Sequence, residues 1–163
     1  MRRWSRDEVF ITNVVKCRPP DNRDPEPDEI AACAPYLQRQ LEVLDPALIV
    51  TLGRHSLGRF MPGERISQAH GTVRPIDSAT GAPSALGFAL YHPAAALRST
   101  EVERQSYADV ALIPAALVEA RSRREHGAEP AVAAGVGAAI LADVTPEAMP
   151  AQMPDVTTDV TLF

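Results

Sequence analysis

The sequence predicts a single domain with an α/β fold, in which a largely parallel sheet lies between two layers of helices. Short β-rich runs alternate with helical patterns along most of the chain, and this order favours parallel strands joined by helices. The chain has 163 residues and is 45% hydrophobic, which is enough to bury one core. In folds of this class, functional residues collect at the carboxyl ends of the strands.

The predicted strands are short apolar runs, each bounded by a polar residue, a glycine or a proline. They are VFITNVV (9–15), ALIVTLG (47–53), HGTVRPI (70–76) and FALYHP (88–93).

Three helices are predicted between and after these strands. The segment 35–44 places Leu37, Leu41 and Leu44 at helical spacing, and RHSLGRFM (54–61) is typical of a short helix. The segment 101–123 predicts a closing helix that is interrupted near Pro114, because proline disfavours a helix interior.

Charge divides the chain into a predicted domain, residues 1–126, and a flexible acidic tail, residues 127–163. Of the 21 acidic residues five lie in the tail, which leaves 16 in the domain to balance all 16 Lys and Arg residues. A neutral domain argues against nucleic-acid binding by bulk charge alone. A local positive face is still expected from five arginines, namely Arg54, Arg59, Arg65, Arg74 and Arg98.

The polar start of the chain, its short apolar runs and its two cysteines indicate its cellular compartment. The first residues are polar and the longest apolar runs are strand-length, so neither a signal peptide nor a membrane span is predicted. A cytoplasmic monomer is expected, in which Cys17 and Cys33 are thiols or metal ligands rather than a disulfide.

Polar residues or glycine lie at the ends of three of the predicted strands: Asn13 with Cys17 at the end of the first, Gly53 at the end of the second and His92 at the end of the last. Each also fits a structural role, because asparagine forms turns, glycine admits tight turns before helices, and a histidine before proline is common in loops. Their common position at strand ends is the first indication of function.

Three blocks of sequence carry a family resemblance: TNVVKCRPPDNRDPEPDEIAAC, LGRHSLGRFMPGERISQAHG and YHPAAAL. They resemble consecutive blocks of the iron–sulfur (family 4) uracil-DNA glycosylases, over about Asp7 to Val118, roughly two thirds of the chain. The proline-rich block is specific, whereas HPA alone would be a weak signal. The resemblance implies a three-layer α/β/α uracil-DNA-glycosylase-like fold without its N-terminal strand.

The resemblance also implies a 4Fe-4S cluster held by four cysteines, two of which match Cys17 and Cys33. The other two are not in this chain, and neither is the family's upstream Gly-Glu-x-Pro-Gly loop, since Met1 lies only about a dozen residues before Asn13. A start inside a longer reading frame is favoured over a truncated relative. Two ordinary thiols remain an alternative, and a zinc site using His70 is a weak one because no short-spaced ligand pair exists.

Roles for the site residues follow from the same resemblance. His92 matches the HPA histidine, which would donate a hydrogen bond to uracil as negative charge develops there. Asn13 matches the pocket asparagine, whose amide fits uracil and rejects cytosine. Leu97 and Arg98 match the loop that enters DNA, with Leu97 as a wedge and Arg98 as a phosphate ligand. Ala95 and Ala96 stand where bulkier residues are common.

The tail ends in DVTLF, which is similar to the peptides that bind bacterial sliding clamps. Leu162 and Phe163 would fill the clamp pocket, although Asp159 stands where glutamine is usual. The predicted function is excision of uracil from DNA in base excision repair, with the activity of this shorter chain left open. A noncatalytic binding module of the same fold is the alternative, and the DNA upstream of the start codon distinguishes the two.

Overall fold

The computed structural model describes residues 5–126 together with the backbone of residues 160–162. Its strands are β1 (Val9–Ile11), β2 (Leu48–Leu52), β3 (Val73–Pro75), β4 (Leu86–Leu90) and β5 (Val160–Leu162). Its α-helices are α1 (Pro27–Leu44), α2 (Arg54–Phe60), α3 (Ile66–Ala69), α4 (Pro93–Ala96) and α5 (Thr100–Glu125).

The strands form one mixed sheet in the order β1-β5-β2-β4-β3. The neighbours β1 and β5, β5 and β2, and β2 and β4 are parallel, whereas β3 runs antiparallel to β4. The prediction of a largely parallel sheet is therefore confirmed, with β3 as the antiparallel edge.

Helices cover both faces of this sheet, because alternate residues of a strand face opposite sides. On one face, Ile113, Leu117 and Ala120 of α5 pack in a cluster with Leu48 and Val50 of β2. On the other face, Ile49 of β2 and Ala89 of β4 pack with residues of the other helices, namely Leu37, Leu41, Leu57 and Phe60. The predicted three-layer architecture is confirmed.

Helix α1 begins eight residues earlier than the leucine spacing predicted, at Pro27 rather than Pro35. Glu26 precedes it and forms a capping box with Glu29, and Pro27 suits the first turn, where its missing N–H is not needed. Cys33 is therefore inside the helix, on the buried face that it shares with Leu37.

Helix α5 is continuous through Pro114, so the predicted interruption is wrong. A proline removes one hydrogen bond from a helix, and here Ile113, Ala116 and Leu117 are buried around it and hold the helix against the sheet.

Strand β1 is shorter than predicted and ends at Ile11, while β4 ends at Leu90, two residues before His92. The segment 12–15 leaves the sheet, and Val14 within it is buried.

The predicted acidic tail lies mostly outside the described residues, as does the weak helix predicted near Val132 to Ala142. Residues 160–162, assigned to the flexible tail by sequence, form β5 between β1 and β2. Among the described helices, none has the length and apolar character to cross a membrane.

Candidate active site

The three strand-end positions lie at the same end of the sheet, where the strands finish, because β1, β2 and β4 run in the same direction. This end is called the carboxyl edge of the sheet. Gly53 follows β2 directly, while Asn13 and His92 follow β1 and β4 by two residues. Strands β1 and β4 are three strand spacings apart, or roughly 14 Å. Gly53 and His92 are in contact, and Asn13 lies farther along the same edge.

Gly53 has the backbone angles φ +89° and ψ −178°, a region that is essentially restricted to glycine. Its N–H donates to the carbonyl of Leu90 at 2.8 Å, which ties the end of β2 to the end of β4. A Cβ on Gly53 would lie 2.9 Å from the Cβ of His92. Glycine is therefore required both by the turn and by the closeness of the histidine.

His92 precedes α4 as its N-terminal cap and is exposed. Its Nδ1 accepts a hydrogen bond from the backbone N–H of Ala94 at 3.1 Å. An amide N–H only donates, so Nδ1 carries no proton in this arrangement and the neutral ring is protonated at Nε2. His92 thus presents an Nε2–H donor at the sheet edge without being cationic.

Asn13 is exposed in the segment that leaves β1, and Lys16 fastens that segment to α1. The backbone N–H of Lys16 donates to Sγ of Cys33 at 3.2 Å. Its Nζ bonds Oγ1 of Thr12 at 2.6 Å and Oε1 of Gln40 at 2.7 Å. Partial burial lowers the pKa of Lys16, an effect that the neighbouring Cys33 opposes. Sequence reasoning missed this lysine.

Leu97 and Arg98 lie on the surface between α4 and α5. Leu97 ends α4 with 89% of its surface exposed, an unusual exposure for a leucine. Arg98 is exposed beside it, and its backbone N–H bonds the carbonyl of Ala95 at 3.1 Å. The predicted DNA-contacting pair is therefore accessible and follows His92 by one short helix.

A family model for the uracil DNA glycosylase superfamily matches residues 1–113. The chain belongs to the uracil-DNA glycosylase superfamily.

Within the superfamily, the chain is similar to enzymes named type-4 uracil-DNA glycosylase, in agreement with the predicted family 4 resemblance. That of Saccharolobus solfataricus is 48% identical over 105 residues, which are 61% of this chain and 48% of the relative. That of Sulfurisphaera tokodaii is 44% identical over 104 residues, 61% and 46% of the two chains. The enzyme of Thermotoga maritima is 40% identical over 107 residues, which are 64% of this chain and 54% of the relative. The chain spans about half the length of these relatives.

The family resemblance implies a cluster site at Cys17 and Cys33, and the structure brings these two thiols to one cavity. Both line a space of about 200 Å³ with Val15, Glu29 and Ala32, and neither forms a disulfide. Cys33 is buried and Cys17 is exposed. In the part of the chain that the structure describes, no group of three or more metal-ligand side chains exists. The described residues thus offer two thiolates, which do not by themselves fit a cluster with four protein ligands.

The proline-rich loop between Cys17 and Cys33 is held to α1 and α2 by ion pairs. Arg23 makes two hydrogen bonds to Glu29 of α1, each 2.8 Å long. The hydrogen bonds from Arg23 lower the pKa of Glu29, and a hydrogen bond from the backbone N–H of Glu26 lowers it further by a smaller amount. Asp24 bonds Arg54 and lies 3.1 Å from Nε2 of His55, both at the start of α2. The sequence assigned Arg54 to a positive face. In the structure its guanidinium binds Asp24 and so connects the loop to the start of α2.

Another histidine, His70, packs against Tyr91, the residue before His92, and sequence reasoning missed it as a neighbour of the site. Nδ1 of His70 is 2.8 Å from Oδ2 of Asp109, a buried residue of α5, and its ring packs against Tyr91 with centroids 4.6 Å apart. Gly71, at φ +69°, leaves room for Asp109. The weak zinc hypothesis for His70 gains no support from this pairing. A glycine after the histidine was the only signal in the sequence, since Asp109 is 39 residues away.

Proposed function

We propose that this chain carries the uracil-excising site of a DNA-repair glycosylase, which hydrolyses the N-glycosidic bond in base excision repair. The observation that carries the proposal is His92, which stands at the carboxyl edge of the sheet against Gly53 with its Nε2–H free of the Ala94 contact. The type-4 names of the relatives support the same reaction. The substrate is a uracil nucleotide turned out of the DNA stack.

The reaction breaks the bond between C1′ of the sugar and N1 of uracil. The bonding electrons leave with the base as a uracil anion, and water adds to the cationic sugar and gives up a proton, which in the end neutralises the uracil anion. A donor fixed near the carbonyl oxygens of uracil stabilises the anion more than the neutral base, by several kcal/mol at most. Nε2–H of His92 is that donor, and a neutral imidazole is sufficient.

Asn13 is the proposed base-recognition residue. Its amide offers both a donor and an acceptor, which match a carbonyl and the neighbouring N–H of uracil. Cytosine carries an amino group in place of that carbonyl, so a fixed amide leaves unpaired groups against it and rejects it.

Leu97 and Arg98 are the proposed DNA contacts. Leu97, exposed at the end of the short helix that follows His92, can enter the gap in the base stack that the flipped nucleotide leaves, and Arg98 can pair with a flanking phosphate. Both residues follow His92 by the single short helix α4, which supports a place near the site.

Cys17 and Cys33 are the proposed cluster ligands of this chain, two of the four that the family resemblance implies. Such a cluster would hold the proline-rich loop to α1 as Arg23 does. No step of the excision described above depends on it. We further propose a cytoplasmic monomer that reaches a sliding clamp through Leu162 and Phe163.

The test is uracil release from three oligonucleotides that are identical except for a single uracil, thymine or cytosine. The 163-residue protein is incubated in excess over each DNA, and alkali cleaves the strand wherever a base has been lost. We expect cleavage with uracil alone. Binding of all three without base loss would instead support the alternative, a noncatalytic binding module of the same fold.

A further inference from the structure

We propose that His70 and Asp109 are positioning residues for His92, because they fix the ring of Tyr91 and with it the chain from which His92 projects. Nδ1 of His70 lies 2.8 Å from Oδ2 of Asp109. The ring of His70 packs against that of Tyr91, with centroids 4.6 Å apart and an angle of 37° between the ring planes. The inference rests on the proposed role of His92 in uracil release and names the residues that keep its side chain in place.

The end of β4 is held on both of its sides, and His70 belongs to one of them. The pairing on the side of β2 reaches Leu90, the last residue of β4. On the other side, the pairing of β3 with β4 reaches Phe88, and the segment before β3 continues the contact. His70 forms a bridge with Ala89, whose carbonyl accepts from the N–H of Gly71 at 2.9 Å. The backbone of His70 is therefore fixed beside the last residues of β4.

Tyr91 is the single residue between β4 and His92. It is partly buried, and its ring is the one that His70 contacts. His92 has an extended backbone, with φ −64° and ψ 136°, and in an extended chain neighbouring side chains point to opposite sides. A ring that is held at position 91 therefore restricts the backbone rotation that would turn His92 away from Gly53.

Asp109 gives the His70 ring a fixed orientation. An ionised carboxylate only accepts hydrogen bonds, so Nδ1 of His70 is the donor in this pair. Asp109 is buried in α5 and occupies the space beside Gly71, where an added Cβ would overlap Oδ1 of the aspartate. Gly71 also has φ +69°, which favours glycine. The fold thus keeps position 71 free of a side chain, and the carboxylate reaches the histidine.

This chain of contacts keeps the Nε2–H of His92 in one place. Nδ1 of His92 accepts from the N–H of Ala94 only while the ring lies at the start of α4. If the Tyr91 ring is released, we expect the His92 ring to leave this bond for part of the time, and the proton is then no longer confined to Nε2. A displaced donor stabilises the developing uracil anion less. Asp109 and His70 therefore act on uracil release through His92 without touching the substrate.

The first measurement needs no activity. The ring nitrogens of the ¹⁵N-labelled full-length protein are observed by NMR in mildly alkaline solution, where their shifts report which nitrogen of a neutral histidine carries the proton. The His92 signals are those missing from His92→Asn. We expect one tautomer, protonated at Nε2, in the unaltered protein and a mixture of the two tautomers in Asp109→Ala. Asp109→Asn keeps an acceptor oxygen and should recover the single tautomer.

Two further variants separate positioning from a general loss of packing. Leu117→Val removes a methylene from a buried residue of α5, about two turns beyond Asp109, and should leave the His92 tautomer unchanged. Tyr91→Leu removes the ring but leaves the pair of His70 and Asp109, and it should give the mixture even if Asp109→Ala does not fold. A single tautomer of His92 in Tyr91→Leu or in folded Asp109→Ala, or an equal mixture in Leu117→Val, would overturn the proposal.

The second measurement is single-turnover release of uracil from DNA by the same proteins. We expect Asp109→Ala to release uracil about tenfold more slowly while it binds DNA as well as the unaltered protein. In a protein that already carries His92→Asn, Asp109→Ala should cause no further loss, because its effect passes through the histidine. A further loss in that background would contradict the proposal. Absence of uracil release from every protein would count against the proposed function, and the His92 tautomers would still decide the positioning role.

Discussion

At the scale of single residues, Gly53 and His92 fix one another's position. The turn after β2 has a backbone conformation that a side chain strains, and the space that a Cβ would fill is taken by the histidine. The cap from Ala94 then sets which ring nitrogen is protonated. The sequence predicted both residues at the site edge, but their contact joins two strands and depends on the register of β2 with β4.

Gly53→Ala tests this arrangement. We expect the free energy of unfolding to fall by about 1–3 kcal/mol, because alanine is strained at this φ and ψ and meets His92. Gly58→Ala in α2 is the matched control, since nothing lies within 4 Å of the added Cβ. That change should stabilise the protein by roughly 0.5–1 kcal/mol. Denaturant unfolding measures both, and a Gly53→Ala protein as stable as Gly58→Ala would contradict the account.

At the scale of elements, packing determined what local sequence did not. Helix α1 passes through Pro35 and α5 through Pro114, although each proline predicts a boundary. In both helices, buried residues flank the proline, and tertiary contacts outweigh a local preference. Helix spacing in α1 and α2 and the parallel order of the strands were predictable, since each depends on residues close in the chain.

The His70 and Asp109 pair connects α5 to the segment before β3. Asp109→Ala should lower the free energy of unfolding by about 1–3 kcal/mol, because it leaves the partly buried His70 ring without its acceptor. Asp109→Asn keeps an acceptor oxygen and should cost less. Thermal or denaturant unfolding checks the order, and an Asp109→Asn protein less stable than Asp109→Ala would show that the hydrogen bond has no stabilising role.

The Arg23 and Glu29 pair gives the proline-rich loop a dependence on pH. Arg23 lowers the pKa of Glu29 below its ordinary 4.5. A lowered folded-state pKa stabilises the folded protein above about pH 4.5, and this contribution disappears as the pH falls through the folded value. Glu29→Gln should therefore lower stability at pH 7, and the difference from the unaltered protein should shrink as the pH falls below 4.5. A stability difference that persists undiminished at the acid end would argue against the ion pair.

At the scale of the whole molecule, the proposed site residues lie at the carboxyl ends of the strands. Strand β5, from the end of the chain, lies between β1 and β2 in the same sheet. Strand β5 was not predictable, because three residues at the end of an Ala- and Pro-rich segment carry no periodicity and their partners lie about 150 residues away in β1 and about 110 in β2. The family resemblance implied one site for Cys17 and Cys33, and both line one cavity, to which α1 contributes Cys33.

The cysteines lead to an expectation for the chain of 163 residues. Because Cys17 and Cys33 are its two cysteines, the protein purified without oxygen should contain less than stoichiometric iron and sulfide. Metal analysis and absorption near 400 nm, a rough guide for thiolate-bound iron, measure this. Four iron atoms and four sulfides for each chain would overturn the assignment of half a ligand set.

The most direct test of the central claim is single-turnover release of uracil by the unaltered protein and by His92→Asn. The asparagine side chain can still accept from the N–H of Ala94 and cap α4, but it carries no group at the position of Nε2. We expect His92→Asn to bind uracil-containing DNA as well as the unaltered protein and to release uracil about 10² to 10³ times more slowly. Equal release by the two proteins, whether rapid or at the uncatalysed rate, would contradict the assignment of His92 and with it the proposed site.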